Sequence, residues 1–372
     1  MEFQGHSLAE RAMTLAGESY TSAEIFAREG ERIFARRWLS VGRADALGEP
    51  GDFRLAAVGS ESLLLVRGRD GKARAFFNVC RHRGTRVCEA ESGRFAGGIQ
   101  CPYHAWTYGL DGALIGAPHM ADVPWFDKAD HPLVPAALAE WEGFLFVNLS
   151  AEPEPLDAAL GPLLGRFAPW RLPALETGRS IAYDVRANWK LVFQNFSECY
   201  HCPPVHPALA KLSHYRSGAN DLRDGPVLGG YMLINEKGGS LTMSGRPCGA
   251  PLGDLPEQER QRVYYYSLFP ATLLTVQPDL VMATRLEPLA ADRTRVLCDW
   301  LFAPETLATP GFDPADGVEI WDVTNRQDWH MCELAQQGVS SRAYRPGLYS
   351  TEESLLAAFD REYRRSLGDS RP

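Results

Sequence analysis

Four residues, Cys80, His82, Cys101 and His104, stand in two short pieces, CRHRG and CPYHAW, in the order Cys-x-His, then eighteen residues, then Cys-x2-His. Each pair precedes a glycine or aromatic turn, so two loops each offer one thiolate and one imidazole. A tetrahedral zinc finger keeps like ligands together, C-x2-4-C followed by H-x3-5-H. The alternating order suits instead a centre with two inequivalent metals, one held by both cysteines and one by both histidines. Cys88 lies between the loops, but its spacing gives it no metal, and it reads as a buried thiol.

A second stretch, SECYHCPPVHP at residues 197 to 207, holds two cysteines, two histidines, one carboxylate and a Pro-Pro break. The spacing predicts a helix from Asn188 to about His201, which puts Glu198 and His201 on one face. On that helix His206 would point about 140° away from His201, at ~100° per residue, and Pro203 and Pro204 end the helix and re-aim it. Two histidines across a break need one more donor. A 2-His-1-carboxylate iron site takes it from an acid and leaves positions open for O2. Glu198, close by, and Asp328, in NRQDWHMCELAQQG, compete for that place. Asp322 and Glu319 read as solvated helix-face acids, and His330 points elsewhere on the same helix. A thioredoxin-like C-x-x-C opens a helix, whose dipole stabilises the thiolate. Cys199 and Cys202 close one, so both thiols are expected to pack around it.

The elements that must position these groups are legible in outline. A chain of 372 residues suits two domains, or one with a large insertion. Its 45% hydrophobic and 23% charged residues are those of a soluble globular protein. The net charge of -9 argues against a sequence-independent nucleic-acid binder and favours small-molecule or protein partners. The first 22 residues lack the pattern of a signal peptide, and no apolar run approaches the ~18 residues of a membrane span. The expectation is a cytoplasmic protein whose eight cysteines are reduced thiols or metal ligands, without a disulfide framework. Residues 22 to 37 predict a helix with Ile25, Phe26, Ile33 and Phe34 on one face behind a Ser22 cap. From there to about residue 150 the runs are short and glycine-split, with hairpin turns at RGRDGKA and GLDGA, an all-β pattern. A proline-rich stretch, SAEPEPLDAALGPLL, precedes a strand, SIAYDVRA, that leads into the helix at Asn188. Residues 262 to 304 read as an antiparallel meander with LAADRT as one turn, and the closing segments have helical periodicity.

The alternating ligand set is that of a Rieske [2Fe-2S] cluster. With CRHRG, CPYHAWTY, ECYHC and the Asp328 segment, the chain resembles the α-subunits of the Rieske non-haem iron oxygenases over nearly its whole length. That resemblance implies an α+β fold, an all-β Rieske domain at 38–155 and a helix-grip catalytic domain with a curved antiparallel sheet at 156–372. A helical segment at 1–37 would pack on the latter. It assigns Cys80, His82, Cys101 and His104 to the [2Fe-2S] cluster, and His201, His206 and Asp328 to a mononuclear Fe(2+). Glu198 then matches the bridging carboxylate that joins an iron-ligating histidine to a cluster-ligating one across a homotrimer contact, orienting both.

The activity so implied is that of a terminal oxygenase: a separate flavin or iron-sulfur reductase draws on NAD(P)H, O2 is the co-substrate, and a C–H bond of a small molecule is hydroxylated. Many ring-hydroxylating members carry aspartate at the bridge. The glutamate of ECYHC, with SRAYRPGLYS, looks most like the branch acting on betaines and carnitine, where hydroxylation of an N-methyl group leads to demethylation. QPDLV carries Gln277 and Leu280 where that branch often has histidine and tyrosine, so no particular betaine is assigned. Tyr264 and Tyr266, on one strand face, and Trp300, on a later strand, are the candidate rings for a cation. The alternatives are aromatic ring hydroxylation or O-demethylation by the same machinery, and a non-catalytic Rieske electron carrier. A carrier needs no second iron with open positions.

Overall fold

A computed structural model describes residues 11–368, so the first ten residues of the expected N-terminal segment and the last four of the expected catalytic domain lie outside the described residues. The chain divides into two compact units, Phe34–Leu156, and Asp157 onward joined by the residues before Phe34.

The first unit is all β, as its glycine-split runs predict. Its strands are β1 (Leu39–Arg43), β2 (Asp52–Val58), β3 (Glu61–Arg67), β4 (Ala73–Phe77), β5 (Ser92–Arg94), β6 (Ile99–Gln100), β7 (Thr107–Tyr108), β8 (Leu114–Gly116), β9 (Pro135–Trp141) and β10 (Phe144–Asn148). Seven form one antiparallel sheet in the order β1-β10-β9-β4-β3-β2-β5, and β6-β7-β8 form a small second one. The RGRDGKA turn closes the β3–β4 hairpin, with Asp70 accepting from the Lys72 amide. One ligand-bearing loop follows β4; the other joins β6 to β7. Both sit over a shared apolar core that includes Val87, Ile99, Trp106, Leu114 and Leu133.

The second unit is built on one antiparallel sheet of β11 (Glu176–Val185), β12 (Ala219–Leu222), β13 (Val227–Leu233), β14 (Arg262–Leu268), β15 (Thr272–Val276), β16 (Val281–Ala290) and β17 (Arg293–Phe302). The order is β11-β17-β16-β15-β14-β13-β12, so β14 to β17 make the expected meander. Four helices matter for the site: α1 (Ala23–Glu29), α2 (Trp189–Phe196), α3 (Ala315–Val339) and α4 (Ser354–Leu367). Ser22 caps α1 by accepting from the Ile25 amide. After α1 a π turn at Gly30–Phe34 shifts the register, so Ile33 is fully buried while Ile25 and Phe26 are half-buried.

α2 carries the chain into the site, and buried polar contacts lock its rotation. Lys190 and Glu29 are both fully buried, with Nζ 2.5 Å from Oε1. The same carboxylate accepts from Trp189 Nε1 at 2.8 Å and from the Tyr363 hydroxyl at 2.7 Å. Burial pulls Lys190 down to about 8, against the pull of Glu29. One turn further, Gln194 donates to Asp360 at 2.9 Å and accepts from the Tyr20 hydroxyl at 3.1 Å. Hydrogen bonds specify orientation where apolar contacts tolerate sliding, so α1 and α4 hold α2 at one angle. The sequence reading missed this pair, because charged residues are read as surface unless a partner is in view.

α2 ends at Phe196, five residues before the expected end. Ser197 explains the stop: its hydroxyl donates back to Phe193 O at 2.7 Å and meets Ser267 Oγ at 2.7 Å, the local competition by which serine leaves helices. Among the described residues no helix is long and apolar enough to cross a membrane.

Candidate active site

The two loops of the first unit are built alike. In one, the Cys80 amide donates to Thr85 O and the Gly84 amide to Cys80 O; in the other, the Cys101 amide donates to Trp106 O and the Ala105 amide to Cys101 O. The fourth residue after each cysteine has positive φ, 77° at Gly84 and 55° at Ala105. Glycine takes that conformation freely, whereas alanine costs about 1 kcal/mol. Each tight turn buries its cysteine and lifts its histidine outward. Cys80 and Cys101 are 3% and 2% exposed; His82 is exposed and His104 half-buried. The two rings lie 4.7 Å apart between centroids, and His82 also stacks on Trp106.

A pair of buried sulfurs facing a pair of outward imidazoles fits a [2Fe-2S] group with one iron on each side. Burial pushes the Cys101 thiol up, and the neighbouring Cys80 sulfur adds to it, so loading such a group must displace protons. Tyr108, which the sequence reading missed, accepts from the Arg81 amide at 2.9 Å and lies 3.3 Å from Cys80 Sγ. A sulfur that ligates iron carries no proton, so with the cluster bound Tyr108 would be the donor of this contact, and hydrogen bonds to ligating sulfurs tune a cluster's potential. If the four residues hold the cluster, His104→Cys shifts the midpoint downward by hundreds of millivolts, toward the about -400 mV of all-cysteine [2Fe-2S] proteins. Redox titration followed by electron paramagnetic resonance checks this, and an unmoved potential refutes the assignment.

In the second unit the donor atoms of His201, His206 and Asp328 all lie within 4.8 Å of one another. His201 Nε2 is 3.2 Å from His206 Nε2 and 3.1 Å from Asp328 Oδ1, and His206 Nε2 is 2.8 Å from the same oxygen. First-row metals hold such donors at about 2.0–2.2 Å, which puts two donors at a right angle about 3 Å apart. The three therefore suit one ion on one side and leave its other side open. The remaining ring nitrogens are fixed: His201 Nδ1 donates to Glu198 Oε1 at 2.5 Å, and His206 Nδ1 to Gln327 Oε1 at 2.8 Å. Those bonds select the tautomer that directs both Nε2 atoms at the ion. Burial lowers the His201 ring, but hydrogen bonds with Asp328 and Glu198 outweigh it and lift it to about 10. Two carboxylates meet the imidazoles here, and a metal ion held by the three donors would balance their charge.

Glu198 and His201 lie on the loop beyond α2 and share no helix face, contrary to the expectation from spacing. Glu198 instead folds over its own loop, accepting from the Tyr200 and His201 amides as well as from the His201 ring. A further correction concerns Cys199 and Cys202. They form a disulfide, closing a ring around Tyr200 and His201, where two packed thiols were expected. The helix ends early enough for the chain to turn, and the turn brings the sulfurs together. Cys88, by contrast, is a free buried thiol.

A cavity opens from the three donors, between the sheet and α3. Its rings include Phe196, Tyr215, Tyr265 and Trp321; the ring of Tyr231 turns instead to Tyr264 and the Arg262 guanidinium. The expected substrate rings are not among them. Tyr264 and Tyr266 point to the opposite face of β14, where they pack on Phe167 and beneath the Arg166 guanidinium. Alternation along a strand gives the cavity Tyr265 in their place. Trp300 is fully buried and does not reach the lining.

Residues 172–369 match the family described as ring hydroxylating alpha subunit, catalytic domain, and residues 37–127 match the Rieske [2Fe-2S] domain. The chain is 32% identical over 360 residues to the glycine betaine monooxygenase oxygenase subunit of Chromohalobacter salexigens, covering 89% of this chain and 80% of that one. It is 31% identical over 343 residues to the carnitine monooxygenase oxygenase subunit of Escherichia coli, covering 90% and 87%. Among solved structures it superposes on the quaternary ammonium Rieske monooxygenase CntA, with TM-score 0.81 and 28% identity over 95% of each chain.

Proposed function

This chain belongs to the ring-hydroxylating α-subunit family with a Rieske [2Fe-2S] domain, and from that membership we propose that it is a terminal oxygenase component acting on an N-methyl group of a quaternary ammonium compound. It carries a [2Fe-2S] cluster and a mononuclear iron, depends on a reductase, and works as an oligomer. The observation that carries the reading is the cavity: three convergent metal donors at one end, aromatic walls, and neither lysine nor arginine in the lining. A trimethylammonium group cannot donate a hydrogen bond, so ring faces are what bind it, at roughly 0.5–2 kcal/mol per contact.

His201, His206 and Asp328 would hold the iron, and Cys80, His82, Cys101 and His104 the cluster. When bound, the iron supplies activation of O2, drawing on electrons that arrive through the cluster. The chain's own residues do the rest. Glu198 and Gln327 set the two iron-ligating imidazoles, the rings seat the cation, and the sheet excludes bulk water behind them. Hydroxylation of the N-methyl carbon yields an N-hydroxymethyl ammonium ion, which releases its hydroxyl proton to water as the C–N bond breaks, giving formaldehyde and the tertiary amine. We further read the oligomer as a homotrimer in the cytoplasm, where NAD(P)H is at hand, with Glu198 bridging to a cluster-ligating histidine of a neighbouring subunit.

With glycine betaine, carnitine, γ-butyrobetaine and proline betaine as candidates, formaldehyde should appear in step with NADH consumed for at least one of them. A response confined to benzoate-like acids transfers the reading to aromatic hydroxylation or O-demethylation.

A further inference from the structure

The cavity is lined by three carboxylates, Glu198, Asp328 and Glu352, and the metal site accounts for only two. Glu198 is committed to the His201 ring and two amides, and Asp328 to both Nε2 atoms. Glu352 touches none of these groups. Its Oε1 accepts from Arg216 Nη2 at 2.8 Å, and its Oε2 has no hydrogen-bond partner among the described residues.

We propose that Glu352 is the specificity-determining carboxylate of this cavity, the anionic wall that prefers a quaternary ammonium group to a neutral group of the same shape. The inference rests on the quaternary ammonium reading above and names the residue that enforces it.

Position and burial support it. Glu352 sits in a short turn at Thr351–Glu353 whose backbone is pinned by a capping box between Ser350 and Glu353, and Leu355, just beyond it, lines the same cavity. The Glu352 side chain is 13% exposed, while that of its partner Arg216 is 49% exposed and outside the lining. The pair is thus oriented across the wall, with its negative end toward the cavity and its positive end toward water. Arg216 also lies over the Tyr215 ring, 5.2 Å from its centroid, and Tyr215 is another wall of the cavity. An ion pair on an open surface contributes little. Here Arg216 is the more exposed partner and is screened by solvent more strongly than the carboxylate, so the pair leaves negative charge on the cavity side. A carboxylate that cannot be reached by a hydrogen-bond donor on the ligand attracts it through charge alone, which is what a trimethylammonium group requires.

The test compares glycine betaine with 3,3-dimethylbutyrate, its tert-butyl isostere, by calorimetry on the full-length, metal-loaded protein, with tetramethylammonium as a second cationic probe. In Glu352→Gln the dissociation constants of glycine betaine and tetramethylammonium should rise at least tenfold. That of 3,3-dimethylbutyrate should stay level or fall, and the iron content should not change. Arg216→Met, which frees the carboxylate from its partner, should tighten tetramethylammonium binding. Glu352→Asp, which keeps the charge, should retain most of the preference and covers the case of a poorly folding glutamine variant. Unchanged betaine affinity in Glu352→Gln overturns this inference and leaves the proposed function standing. A wild-type protein that binds neither cation but takes benzoate overturns the proposed function itself.

Discussion

In Asp328→Ala the protein keeps its cluster and loses its mononuclear iron, and turnover falls by at least about 100-fold, beyond the 10–100-fold that loss of an outer-shell partner costs. The reason lies in the charge balance. Asp328 Oδ1 is within 3.1 Å of both imidazole Nε2 atoms, and its side chain is 14% exposed. Removing it leaves two neutral imidazole ligands and no ligating anion for an Fe(2+) ion. Metal analysis checks this directly, as the ratio of iron to acid-labile sulfide falls to that of the cluster alone while the visible spectrum persists. Asp322→Ala is the control on the same helix. Asp322 bonds Arg326 and the Tyr183 hydroxyl, away from the three donors, and its loss should leave iron in place. Full iron retention in Asp328→Ala refutes the ligand assignment.

Glu198→Gln has the opposite signature. Glutamine keeps an oxygen that accepts from His201 Nδ1–H, so the imidazole stays oriented and both metal centres remain. What disappears is the negative charge that strengthens the bond to His201 and, on the proposed bridge, to the neighbouring subunit's cluster ligand. Single-turnover mixing of the reduced protein with O2 and substrate should show cluster reoxidation slowed by about 10–100-fold at unchanged iron content. Iron loss in this variant, with iron kept in Asp328→Ala, exchanges the two roles.

What the sequence made legible follows the distance over which each signal acts. Cys80, His82, Cys101 and His104 announce themselves because their order and short spacing are unlike a zinc finger. His201 and His206 are equally local. Asp328 was out of reach of any spacing argument, because the fold that joins it to His206 spans 122 residues; only the family resemblance singled it out. The meander was visible, yet the tyrosine that faces the cavity was not. Tyr264, Tyr265 and Tyr266 alternate in direction, and which face is inward depends on how β14 pairs with its neighbours. Glu198 and His201 were given to a helix that ends before them, since periodicity carries no information about a serine that bonds back to its own turn. Gln327 and Glu352 left no signal: one is an ordinary polar residue beside an acid, the other an acid in what reads as a helix start.

The two metal sites differ in how much chain they enclose, and so in how much of the fold each requires. The cluster donors span 24 positions, from Cys80 to His104, within one all-β unit. The iron donors span 127, from His201 to Asp328, and meet only when α3 has docked against the sheet. Loop closure over such a stretch precedes any reward from the contact it makes. The cluster site therefore needs only the first unit to be folded, whereas the iron site needs α3 docked against the sheet of the second. Once bound, the iron acts as a cross-link between distant parts of the chain and stabilises the closed state by mass action. Chelation should accordingly lower the melting temperature of the second unit and leave that of the first unchanged.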